Sequence, residues 1–185
     1  MGAALKLDAA VREIWAGNAH YRVMDGSIRL ADMPATVGWA LKEVLVAGAL
    51  CNNAADAADL ALLAAARAGR LDEPTLAEVF PWLAEVLPTP QQPVMATLHE
   101  TAGAHVIYAK GPLERVLPAC ADMLDTHGRN WPLDAETIAE RAAVLCARGV
   151  QVVALARKTQ AAPTLAPADL IRGLTFVGLV GIAPG

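Results

Sequence analysis

The sequence predicts an α+β fold: a twisted antiparallel sheet of about six or seven strands flanked by helices. Hairpin signals recur between short apolar runs, at Gly17-Asn18 and at Thr101-Ala102-Gly103-Ala104. Helical patterns come in succession instead of alternating one by one with strands, which excludes a doubly wound parallel sheet. At 185 residues the chain suits one domain with a core of its own.

In chain order, Val11 to Trp15 and Ala19 to Val23 form the first hairpin, and the polar stretch Asp25 to Pro34 reads as a loop. A helix is predicted from Val37 to Cys51, with Val37, Leu41, Val44, Leu45 and Ala49 on one face. A second runs from about Asp56 to Ala68, so rich in alanine and leucine that several of its sides must be packed, and Gly69 ends it. Asp72-Glu73-Pro74 opens a short helix to Phe80, and Trp82 to Leu87 is extended. Three prolines between Pro88 and Pro93 remove three backbone donors, so this segment is a stiff loop. Val94 to Glu100 and His105 to Lys110 make the second hairpin. Asp134 caps a helix over Leu133 to Arg148, whose inward stripe is Ile138, Ala142, Leu145 and Cys146. Val150 to Ala156 and Leu174 to Ile182 are the last strands.

Composition narrows the function. A net charge of −4 without a basic block argues against nucleic acid. The apolar run from Leu174 to Pro184 is far shorter than the ~20 residues that cross a bilayer. Lys6, Asp8, Arg12 and Glu13 break up the N-terminus, so no signal peptide is expected. Three scattered cysteines without a Cys-x-x-Cys pair read as reduced thiols. Four scattered histidines, even with His99 and His105 facing across a hairpin, suggest no metal site.

The most informative stretch runs from Val106 to Leu117. A strand delivers the Lys110 ammonium to a sheet edge, Gly111 leaves the backbone bare, and Pro112 suits the first position of a helix. Cation, bare backbone and helix N-terminus together suit a phosphorylated ligand. A solvent-facing lysine before an ordinary helix start is the other reading of these residues. No serine–histidine–acid set, paired catalytic carboxylates or Gly-x-x-x-x-Gly-Lys loop is present, so no catalytic residue is assigned.

Several segments, in order, resemble the nucleotide-binding (N) domain of P-type cation-transporting ATPases, nearest to the calcium-pump-like branch. Val11-Arg12-Glu13-Ile14-Trp15 is similar to the strand after the family's phosphorylated loop. Ala49-Leu50-Cys51-Asn52-Asn53-Ala54 followed by Asp56-Ala57-Ala58-Asp59 resembles a helix end and acidic element, and Met95-Ala96-Thr97-Leu98-His99 the strand after the adenine loop. Lys110-Gly111-Pro112-Leu113-Glu114-Arg115-Val116-Leu117 with Cys120 resembles the lysine–glycine signature. Asp169-Leu170 and Gly173 to Gly181 are similar to the returning strand.

The resemblance implies a single nucleotide-binding domain over residues 1–185, a fragment of a membrane pump, on the cytoplasmic side of the cell membrane. Its ligand would be ATP, with Mg in the parent protein, and its partners the phosphorylation and actuator domains. The Asp-Lys-Thr-Gly-Thr motif is absent, so the fragment would bind without hydrolysing. The implied nucleotide-site residues are Lys110, Gly111, Asp59, Gln151 and Pro88.

Departures from the family pattern concern those positions. The family's stacking phenylalanine and loop lysine fall at about Pro88 and Pro93, an arginine is replaced by Gln151, and a glutamate by Asp59. The alanine–proline after the glycine becomes Pro112-Leu113. Base–aromatic stacking is worth ~1–3 kcal/mol, so its loss weakens binding roughly 5- to 150-fold, towards the millimolar range. The alternative is a degenerate N domain that binds no nucleotide and serves as a structural or regulatory interaction module.

Overall fold

The computed structural model describes residues 9–30, 33–34 and 38–184. The first half holds strands β1 (Ala9–Ala16), β2 (Ala19–Met24), β3 (Ser27–Leu30) and β4 (Met33–Pro34), then helices α1 (Trp39–Leu50), α2 (Ala57–Ala68) and α3 (Glu73–Val79). Next come β5 (Trp82–Val86), β6 (Met95–Thr101) and β7 (Ala104–Gly111), followed by a single helical turn, α4 (Leu113–Val116). Strands β8 (Cys120–Leu124) and β9 (Asn130–Pro132), helix α5 (Ala135–Ala147), and strands β10 (Gln151–Gln160) and β11 (Leu174–Pro184) complete the chain.

The strands form one sheet ordered β4-β3-β2-β1-β11-β10-β7-β6-β5, with β8 paired to β11 and β9 to β8. Among the described residues eleven strands stand in place of the six or seven expected, and the β8–β11 pair is parallel in an otherwise antiparallel sheet. Two of the additional strands lie where a polar loop is expected. Asp25 and Gly26 both take positive φ, and Met24 pairs with Ser27, so the loop is a tight hairpin with Ile28 turned inward. The other two follow from Pro118, which halts the helix after Pro112: α4 passes into a 3₁₀ turn at Leu117–Ala119 and the chain re-extends as β8. Pro112 itself is the residue before the helix, not its first.

Alternation along the strands builds a core on each face of the sheet. Tyr108 and Val180 pack with α1 and α2, while their neighbours Ile107 and Leu179 pack with Ile138 and Leu145 of α5. Trp15 meets Phe176 in the second core at 6.3 Å between ring centroids. Helix α1 starts at Trp39, and the expected start at Val37 lies outside the described residues. Asp134 caps α5 by accepting from the Thr137 backbone N–H at 3.1 Å. Ile138, Ala142 and Leu145 are buried as expected, whereas Cys146, one residue past Leu145, turns out to be exposed.

Strands β1 and β11 pair from Ala9 opposite Pro184 to Trp15 opposite Leu179, so the two described ends of the chain lie side by side. Among the described residues no helix is long and apolar enough to cross a membrane.

Candidate functional site

A cleft of about 580 Å³ lies where the start of α2, the 88–93 loop, the end of β7, helix α5 and the start of β10 come together. Lys110, Gly111, Asp59, Gln151 and Pro88 all line it. Leu62, Pro93, Met95, Leu113 and Val152 add apolar wall. The size falls within the range of small-molecule sites, and apolar walls with a few polar groups are their usual make-up.

Lys110 is not a free cation. Its Nζ donates to Asp59 Oδ1, joining β7 to the first turn of α2. The side chains are only 12% and 8% exposed, so the pair is nearly closed to water. The local sequence sets the carboxylate: Asp56 caps α2 by accepting from the Asp59 backbone N–H at 2.8 Å, and Asp59 Oδ2 accepts from Ala55 N at 3.1 Å. Asn52 ties the approach by donating to the Asp59 carbonyl at 2.8 Å. Cys51, fully buried at the end of α1, donates to the Met95 carbonyl, and Met95 is paired with Lys110. Burial pushes the Cys51 thiol up to about 12, with the Lys110 ammonium pulling the other way.

Gly111 has a reason beyond ligand approach. A Cβ there would stand 2.9 Å from the Pro93 carbonyl oxygen and 3.1 Å from Val94 Cγ2. The bare backbone therefore seats the proline loop. That loop is clasped by Thr89 and Gln92, whose backbone groups exchange hydrogen bonds at 2.9 and 3.1 Å. Pro88 is exposed at the cleft wall, and Gln151 is exposed at the first residue of β10, opposite Ile182.

Three wall residues lie outside the sequence expectation. Asp56 and Glu114 bring further carboxylates, leaving Lys110 as the one lysine or arginine on the described wall against three acids. Cys146 presents a thiol from α5, beside Ala142 and Ala143. Its position four residues after Ala142 fits the inward stripe equally well by periodicity, so the sequence holds no signal for its cleft-facing role.

His99 is structural. His99 stands opposite Val106 and not His105, and it hydrogen-bonds the Phe80 carbonyl at 3.0 Å and Thr97 at 2.9 Å. Burial holds its pKa below the ordinary histidine value. Among the described residues no three His, Cys, Asp or Glu side chains gather as a metal-ligand set.

A family model described as P-type ATPase, cytoplasmic domain N, matches residues 40–183. The chain belongs to this family. The N domain resembles pumps from distant organisms. "Probable cation-transporting ATPase F" of Mycobacterium tuberculosis is 32% identical over 136 residues, covering 67% of this chain and 15% of the relative. "Cation-transporting ATPase pma1" of Synechocystis is 29% identical over 203 residues, covering 93% and 22%. "Calcium-transporting ATPase 1" of Saccharomyces cerevisiae is 28% identical over 159 residues, covering 77% and 16%. The chain thus spans less than a quarter of the length of these relatives.

Proposed function

We propose that this N domain binds ATP in the cleft at Lys110 and presents its γ-phosphate to the phosphorylation domain of a cation-transporting P-type ATPase, with weak affinity. The observation that carries this reading is the gathering of Lys110, Gly111, Asp59, Gln151 and Pro88 on one wall in a chain of this family.

Electrostatics orients the ligand. With three carboxylates and one already paired ammonium, the wall suits a purine and ribose better than a triphosphate. Leu62, Met95, Pro88 and Val152 offer apolar surface to the base, and the remaining N–H groups of Lys110 offer donors to its ring nitrogens or the sugar. The phosphates and their Mg²⁺ then extend outward. Gln151 lies opposite Ile182, and Ile182 opposite Val11, so the cleft sits close to the paired chain ends through which the rest of a pump would connect. Phosphoryl transfer itself belongs to that remainder. The parent would be an integral membrane protein with this domain on its cytoplasmic side, and the actuator domain a further partner.

Titration of the ¹⁵N-labelled chain with Mg-ATP tests the reading. Amide shifts should centre on Lys110, Gly111, Ala58 and Cys146 and reach half-saturation in the millimolar range. Amides that stay still at several millimolar ATP would favour a retired N domain serving only as an interaction module.

A further inference from the structure

The sheet terminates at β5. Among the described residues no strand pairs with its outer edge, so backbone N–H and C=O groups stand unpaired along it. Trp82–Val86 contains neither lysine nor proline. What guards this edge is its five-residue length, the bulge between Trp82 and Ala84 and the charge of Glu85, which discourages acidic or identical strands but not a cationic one. Its large apolar side chains are exposed. Trp82 is 57% exposed and Leu87 52%, with Val79 just before the strand at 57%. Trp82 also walls an apolar hollow of about 270 Å³ with Leu50, Leu63, Leu76 and Phe80, which has room for one bulky side chain.

Charge selects the occupant. Between Arg70 and Lys110 the chain carries Asp72, Glu73, Glu78, Glu85 and Glu100 and no lysine or arginine. Glu73 is paired with Arg67 at 2.6 Å. Glu78, Glu85 and Glu100 are exposed and form no ion pair among the described residues. Two copies of this edge pairing antiparallel would bring their Glu85 side chains towards each other, which is unfavourable. A cationic strand would find the opposite situation. The edge is also four strand pairings from β11, at the far side of the sheet from the paired Ala9 and Pro184.

We propose that the outer edge of β5 and the Trp82 hollow form a docking site for an extended, lysine- or arginine-rich segment of a separate protein. The segment adds as a further strand, lodges one bulky apolar side chain in the hollow, and sets its cations against Glu78, Glu85 and Glu100.

The test uses the ¹⁵N-labelled chain and the peptide Lys-Lys-Val-Phe-Val-Lys-Lys, in which a lysine two places to either side of the phenylalanine shares its face as Glu85 shares that of Trp82, with a counterpart carrying Glu in place of every Lys. The basic peptide should shift amides in residues 79–87 and around Leu63 and Leu76, and slow hydrogen exchange along β5. Its affinity should fall about tenfold on raising salt from roughly 50 to 300 mM. Glu78→Lys with Glu85→Lys, both exposed positions, should weaken it about tenfold or more while leaving the unfolding midpoint in place. The acidic peptide should not bind. Absence of binding by the basic peptide, shifts confined to the Lys110 cleft, or equal binding of the acidic peptide overturns the proposal. Concentration-dependent pairing of the chain through β5 in sedimentation would give the edge to a second copy and overturn it as well.

Discussion

Lys110 and Asp59 neutralise each other across the floor of the cleft, so the lysine of the signature strand is an ion-pair partner before it is a ligand contact. A nearly buried pair is costly to break from one side, because the remaining charge is stranded. Lys110→Met or Asp59→Leu alone should therefore destabilise the fold by about 3 kcal/mol. The double variant should lose only about 1 kcal/mol, mainly the hydrogen bond from Ala55 N to Asp59. Denaturant midpoints of the four proteins give the coupling, and additive losses would mean that the pair is effectively solvated. The same cycle guards ATP titrations, since a single Lys110 variant loses stability together with any ligand contact.

In the proposed ATP site the proline loop takes the place of the aromatic that the family resemblance implies. Pro88→Phe restores a ring at the cleft wall, and stacking of ~1–3 kcal/mol should tighten ATP by roughly 5- to 150-fold. Titration of the variant beside the parent chain measures the ratio. An unchanged affinity would place the base elsewhere in the cleft.

Gly111→Ala drives a methyl against the Pro93 carbonyl and Val94. The loop must shift, at a cost of about 1–3 kcal/mol typical of overpacking. Unfolding midpoints should fall accordingly, and amide shifts should spread from Thr89 to Val94. A silent substitution would show that the loop rests only lightly on β7.

Two of the hairpins and the gathering of Lys110, Gly111, Asp59, Gln151 and Pro88 on one cleft wall were legible because they are encoded locally or in motif order. Gly17 and Asn18 take the positive φ that their turn requires, and Lys110-Gly111 ends its strand as expected. Asp25-Gly26 is an equally good turn signal, but the polar residues around it conceal a hairpin whose inward contribution is a single buried residue, Ile28. Strand β8 was hidden because Leu113, Val116 and Leu117 keep helical spacing up to Pro118, beyond which backbone donors decide. The Lys110–Asp59 pair was not legible at all: the residues are 51 apart, and no periodicity selects Asp59 over Asp56 or Glu114 as the partner.

The cysteines separate by environment, which gives both a labelling and a pH prediction. Cys146 is exposed on the cleft wall, so a thiol reagent at pH 8 should modify it first, and bound ATP should slow the reaction. Cys51 and Cys120 should stay unmodified in the folded chain, because burial holds both thiols protonated, up to about 12 in each case. For Cys120 the nearby Asp122 carboxylate adds to the effect of burial. These shifts raise the folded-state values above the ordinary 9.0, so the stability they contribute is fully present below pH 9. It is lost between pH 9 and 12, where the unfolded chain releases protons that the folded one retains, at about 1 kcal/mol per pH unit for each thiol. Replacing Cys51 with valine should flatten the fall in the denaturant midpoint between pH 9 and 10, before tyrosines join in, by about half. A profile equally steep with and without that thiol would assign the alkaline instability to other groups, such as Tyr108, whose burial also raises its pKa.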